Sequence, residues 1–179
     1  MNSTRVFLAT TLSAFLVVTT FAAAVQAETT VSLSKMHLCC GACVKGVTNA
    51  VGTVDGASVK VQQDDSSATI TASDDATAQK ALDAIAAAGF HGKSDSKELK
   101  MKDDSGVKPG KVQRLELVGV HNCCGGCNKA VKAAIASVDG VVADTAKAKS
   151  DTVVIEGDFD GKAVVKALLS AGFHVTAKK

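Results

Sequence analysis

Tryptophan and tyrosine are absent from this chain of 179 residues, and its one proline is Pro109. Of six phenylalanines only Phe90, Phe159 and Phe173 lie beyond residue 27. Neither sign of charge dominates: 20 lysines and arginines face 18 aspartates and glutamates, and no stretch forms a dense basic block. Nucleic-acid binding draws on a basic footprint and stacking rings, so this composition argues against it. A glycine-rich phosphate loop is missing, and so is any arguable Ser-His-Asp arrangement. Acidic residues are scattered over polar turns such as QQDDSS at 62–67 and KMKDDSG at 100–106. A hydrolytic enzyme finds no foothold here, and a binding protein is expected rather than an enzyme.

The first residues read as a signal peptide spanning 1–27. Arg5 precedes an uncharged apolar run over 6–25, and Val25 and Ala27 are small residues suited to cleavage before Glu28. Left uncut, that run is long enough to span a bilayer. No cysteine lies near the cut, which argues against a lipid-anchored form. The expectation is a periplasmic or secreted protein with no membrane insertion after cleavage.

Against these absences stand six cysteines, all in two short stretches: HLCCGAC at 37–43 and HNCCGGC at 121–127. In an oxidising compartment, cysteines are read first as a disulfide framework. A framework spreads its thiols to tie distant segments together, whereas these are packed three to a loop.

The stretches belong to a longer repeat. CVKGVTNAVGTVDG from Cys43 aligns with CNKAVKAAIASVDG from Cys127 at an offset of 84, and AGFH at 88–91 aligns with AGFH at 171–174 at an offset of 83. Two units of roughly 65–70 residues follow. The expected organisation is a first domain at 28–96, a linker at 97–111 that is polar and holds Pro109, and a second domain at 112–179. In each unit an alternating strand (Val31 and Leu33; Leu115 and Leu117) leads into a helix that starts inside the cysteine stretch. Val44, Val47, Val51 and Val54 keep helical spacing, as do Val131, Ile135 and Val138, and Asp55-Gly56 and Asp139-Gly140 are expected to end those helices. Two strands around a polar turn come next, then a second helix stopped by Gly89 or Gly172, then a last strand from Phe90 or Phe173. The fold class is therefore α+β: two tandem ferredoxin-like βαββαβ domains, each a four-stranded antiparallel sheet with two helices on one face.

Cys40-Gly41-Ala42-Cys43 and Cys124-Gly125-Gly126-Cys127 are C-x-x-C motifs at a helix mouth. The partial positive charge there favours thiolate, the form that binds soft metals. With Met36 before the first motif, Gly119 before the second, and the AGF segments at Phe90 and Phe173, the chain resembles the heavy-metal-associated domain family. That family includes copper chaperones, N-terminal domains of copper-pumping ATPases and a periplasmic mercuric-ion carrier. Two departures stand out. The loop before each motif is two residues longer, adding Cys39 with His37 and Cys123 with His121; and Lys35 and Val120 replace the family's glycine and methionine.

The resemblance implies metal ligation by Cys40, Cys43, Cys124 and Cys127, with about one ion per copy. Cys39, Cys123, His37 and His121 are candidates for third and fourth ligands. Two thiolates suit Cu(I) or Hg(II), while a Cys₃His set suits Zn(II). Cu(I) is favoured, in a carrier, scavenger or buffer whose partners are metal ions and a metal-transporting membrane protein or another carrier. Each residue also has a plainer reading. The motif cysteines serve equally as oxidised pairs in a thiol–disulfide redox module, although such folds usually set a cis-proline against the cysteines and Pro109 lies in the linker. His37 and His121 can be solvated strand ends. His91 and His174 read as surface residues, and Met36 as a cap on the core.

Overall fold

The computed structural model describes residues 27–178; the expected signal peptide lies, but for Ala27, outside them. The first unit runs β1 (Thr29–Ser34), α1 (Gly41–Val51), β2 (Ala57–Gln62), β3 (Ser67–Ala72), α2 (Asp75–Ala87) and β4 (Lys93–Ser94). The second runs β5 (Lys111–Val118), α3 (Gly125–Ala136), β6 (Val141–Asp144), β7 (Val153–Asp160), α4 (Gly161–Ser170) and β8 (Thr176–Ala177). Both sheets are antiparallel, with strand orders β2-β3-β1-β4 and β6-β7-β5-β8. This is the ferredoxin-like arrangement, twice. Among the described residues no helix is long and apolar enough to cross a membrane.

Alternation decides which sheet face is covered. Val31 and Leu33 on β1, and Ala68, Ile70 and Ala72 on β3, turn inward beneath α1 and α2. In the second unit Leu117, Val153, Ile155 and Phe159 do the same beneath α3 and α4. Each fully buried Leu, Ile or Phe contributes about 1.5–3 kcal/mol relative to exposure. The second helix of each unit has an aspartate cap: Asp74 accepts from the Thr77 N–H at 2.7 Å, and Asp160 from that of Ala163 at 2.9 Å.

Two boundaries differ from expectation. α1 and α3 stop at Val51 and Ala136, before Asp55-Gly56 and Asp139-Gly140. The N–H groups of Val54 and Val138 bond the carbonyls three residues back, so a tighter turn continues the apolar spacing without continuing the α-helix. Gly56 and Gly140, with φ of 79° and 88°, instead serve the turns into β2 and β6. The last strands do not begin at the phenylalanines either. Phe90 and Phe173 form an isolated antiparallel bridge with each other, linking the units. The His91 N–H donates to the Gly172 carbonyl and the His174 N–H to the Gly89 carbonyl, both at 2.9 Å.

That reciprocity is the signature of an approximate two-fold axis between the units. Residues 97–111 bond to both of them: Gln79 donates to the Lys100 carbonyl at 3.1 Å, and the Ser105 carbonyl accepts from Ala177 at 2.7 Å.

Candidate metal centre

Cys40 and Cys124 are the N-cap residues of α1 and α3, in extended conformation. Cys43 and Cys127 lie one turn into those helices, on the buried face with Val47 and Val131. Helix periodicity thus sends the second thiol of each motif toward the core and leaves the first at the mouth. Cys39 and Cys123 sit on the loops just before.

The approximate two-fold axis brings the helix mouths face to face. Cys39 Sγ lies 3.4 Å from both Cys124 Sγ and Cys127 Sγ. In the reciprocal direction Cys123 Sγ is 3.8 Å from Cys40 Sγ and 3.9 Å from Cys43 Sγ. The buried pair Cys43 and Cys127 meet at 3.8 Å. Within the motifs the separations are 3.7 Å (Cys40–Cys43) and 3.8 Å (Cys124–Cys127). All six cysteines are free thiols.

The thiols are not equivalent. The backbone N–H of Cys43 at the open end of α1 holds Cys40 below the ordinary thiol range. The Cys127 N–H, helped by the Cys39 thiol, lowers Cys124 to about 6. Burial pushes Cys39 and Cys123 up to about 12, and raises Cys127 as well. Cys40 and Cys124 are thus shifted toward thiolate, and Cys39, Cys123 and Cys127 away from it.

His37 and His121 are not solvated strand ends. Each is half-buried, with its ring against a phenylalanine of the other unit: His37 to Phe173 at 4.6 Å between centroids, Phe90 to His121 at 3.9 Å. Burial lowers both imidazole pKa values, that of His121 also through His37, which keeps the rings in the neutral, ligating form. Nε2 of each is buried and has no hydrogen-bond partner. Such orphaned nitrogens beside free thiols fit a soft or borderline cation. Among the described residues, three donor groups have all their ligand atoms within 4.8 Å of one another: His121 with Cys43, Cys123 and Cys127; His37 with Cys39 and Cys127; and Cys39 with Cys40 and Cys124.

All eight residues singled out as candidate ligands thus lie at one place. The joining of the two motifs was not visible in either taken alone. Gly89 and Gly172 make the close approach possible, with φ of 83° and 89°. A Cβ on Gly89 would meet the Gly119 carbonyl, and one on Gly172 the His37 N–H. The repeated AGFH segment was the available signal. Met36 is buried in the core, as is Val120. His91 and His174 are not surface residues: their rings face each other at 5.8 Å, and buried His174 donates from Nε2 to Asp104 at 2.6 Å.

No curated protein sequence matches the chain significantly. Among solved structures it is similar to oxidized MerP from Ralstonia metallidurans CH34, at 26% identity over 37% of this chain and 97% of that one, with a TM-score of 0.35. It is also similar to the N-terminal soluble domains of Bacillus subtilis CopA, at 12% identity over 86% of this chain and 95% of that one, with a TM-score of 0.31. Residues 117–174 match the profile of the heavy-metal-associated domain. They run from Leu117 on β5, through the second cysteine motif, to His174. The heavy-metal-associated domain profile thus covers most of the second unit.

Proposed function

We propose that this protein is an exported binder of soft metal ions that works as a carrier, scavenger or buffer. Cu(I) is the favoured cargo, with Hg(II) and Zn(II) as alternatives. Its ligands are Cys39, Cys40, Cys43, Cys123, Cys124 and Cys127, with His37 and His121 completing the set. The observation that carries this reading is the convergence of six free thiols, with sulfurs of different units 3.4–3.9 Å apart. Cys40 and Cys124, whose pKa values are lowered, are the readiest to take an arriving ion; the other thiols release their protons to solvent as they ligate it. The delivery partner is a metal-transporting membrane protein or another carrier.

The first unit, with the same topology and motif, is read as a second domain of the same family. A thiol–disulfide redox role is the competing reading, supported by the lowered pKa of Cys124 beside other thiols.

The test is a titration of the reduced protein with Cu(I), Zn(II) and Hg(II) under anaerobic conditions, counting free thiols and bound metal together. Tight uptake that is lost when Cys40, Cys43, Cys124 and Cys127 are all replaced by serine is the expected result. A reduced protein that takes up none of the three ions sinks the metal reading and leaves the redox one.

A further inference from the structure

We infer that the two motifs form one shared thiolate cluster, in which sulfurs of both units bridge three or more Cu(I) ions, rather than two separate sites. This rests on the soft-metal reading above and concerns how the ions are held.

Each of the three donor groups among the described residues draws on both units. The groups also overlap: Cys127 belongs to two of them and Cys39 to two. One sulfur cannot serve neighbouring ions without bridging them, and thiolates have lone pairs to do so. The sulfur contacts also run in the reciprocal direction, from Cys123 of the second unit to Cys40 of the first. That contact is 3.8 Å.

Spacing agrees. Metal–sulfur bonds of about 2.3 Å put two sulfurs on a tetrahedral or trigonal ion about 3.8–4.0 Å apart. Six of the nine sulfur pairs fall at 3.7–3.9 Å, so little movement is needed. Six thiolates each bridging two ions supply the bonds for about four trigonal Cu(I) ions, a coordination suited to soft sulfur ligands. His37 and His121, whose buried Nε2 atoms have no partner, flank this group.

Sequence details follow the sulfurs. An ideal Cβ on Gly126 would sit 3.2 Å from Cys39 Sγ, so the second glycine of CGGC makes room for a sulfur of the other unit. Each thiol entering the cluster gives its proton to solvent, and copper stays Cu(I) throughout. An ion held by both units leaves only when they part, which favours buffering or scavenging over rapid hand-off.

The experiment loads the full reduced chain with Cu(I) without oxygen. Stoichiometry is read by native mass spectrometry, Cu–Cu scattering by X-ray absorption, and shielded Cu(I)-thiolate emission by luminescence. Three or more ions per chain with a Cu–Cu path and emission are expected. Cys39→Ser with Cys123→Ser should cut loading to two ions and abolish both signals. Gly126→Ala keeps all six thiols and should weaken the last-loaded ion by about tenfold through crowding of Cys39. Separate two-sulfur ions without a Cu–Cu path overturn the cluster while leaving soft-metal binding intact. Full emission in the Cys39/Cys123 variant overturns it as well. No copper uptake at all overturns the cluster and the choice of Cu(I), and the soft-metal reading falls with them only if Zn(II) and Hg(II) are refused as well.

Discussion

The two units share a topology and a motif, yet they treat the sulfurs of their partner differently. Cys39 reaches into the second unit and meets its two motif sulfurs at 3.4 Å each. Cys123 reaches back and stops at 3.8 and 3.9 Å. Opposite Cys39 is Gly126; the equivalent position in the first unit is Ala42. The rings follow the same pattern. Phe90 and His121 approach to 3.9 Å over Gly46, whereas Phe173 and His37 stay at 4.6 Å, where the first helix of the second unit has Ala130 at the equivalent position. The loop entries differ too: Gly119 takes φ 81° at no cost, while Lys35 takes the same left-handed turn at φ 58°. Small residues are therefore placed where the other unit's side chains press closest.

Removing the contact between the units has the largest expected effect. Gly89→Ala combined with Gly172→Ala puts a methyl into the partner's backbone at two left-handed positions. Each site should cost about 1–3 kcal/mol. Because these contacts lie between units, thermal unfolding should change from one transition to two, with each unit still folded at low temperature. A single unshifted transition in calorimetry would show that the units are held elsewhere. Comparing the two single variants sharpens the comparison: Gly89→Ala disturbs the closer ring pair, Phe90 with His121, and should lower Tm more than Gly172→Ala.

How much of this was legible beforehand follows from where the forces act. Strands and helices came from local periodicity, whereas the aspartate caps at Asp74 and Asp160 emerged only from the structure. The helix ends were misplaced because Val54 and Val138 keep apolar spacing through a non-helical turn. The motif cysteines were visible as ligands, but their meeting was not. It depends on Phe90 and Phe173 pairing across the axis, and residues 83 positions apart in a duplicated chain look like inheritance, not contact. His91 and His174 read as surface residues for the same reason: what covers them is the other unit.

Those two histidines carry the intermediate prediction. Burial, followed by the charge of His174, lowers the pKa of His91 from 6.5 to about 4, against the smaller upward pull of Asp103 and Asp104. The unfolded chain titrates near 6.5, so on acidification it takes up a proton that the folded chain refuses. Stability is complete above that value and is lost as pH falls toward 4. His174 has Asp104 at 2.6 Å, while Nδ1 of His91 is buried without a partner. In urea unfolding followed across this window, His91→Gln should flatten the acid-side slope relative to wild type. An unchanged slope would assign the acid sensitivity to other groups.

The smallest effect tests the comparison most directly. Gly46→Ala makes the first unit match Ala130 of the second. An ideal Cβ at Gly46 lies 3.0 Å from two ring atoms of Phe90 and 3.5 Å from His121. Replacing a mid-helix glycine with alanine gains roughly 0.5–1 kcal/mol of helix propensity. Crowding the ring of Phe90, itself buried and bridged to Phe173, should take back a similar amount, because packed interiors resist an extra methyl. Net stability should therefore move by less than about 1 kcal/mol, while the Phe90–His121 spacing opens from 3.9 Å toward the 4.6 Å of the other pair. Ring-current shifts of the His121 protons report that spacing directly. If stability rises by the full propensity gain and the shifts stay put, the rings have room to spare, and the tighter packing at Gly46 is not what separates the two units.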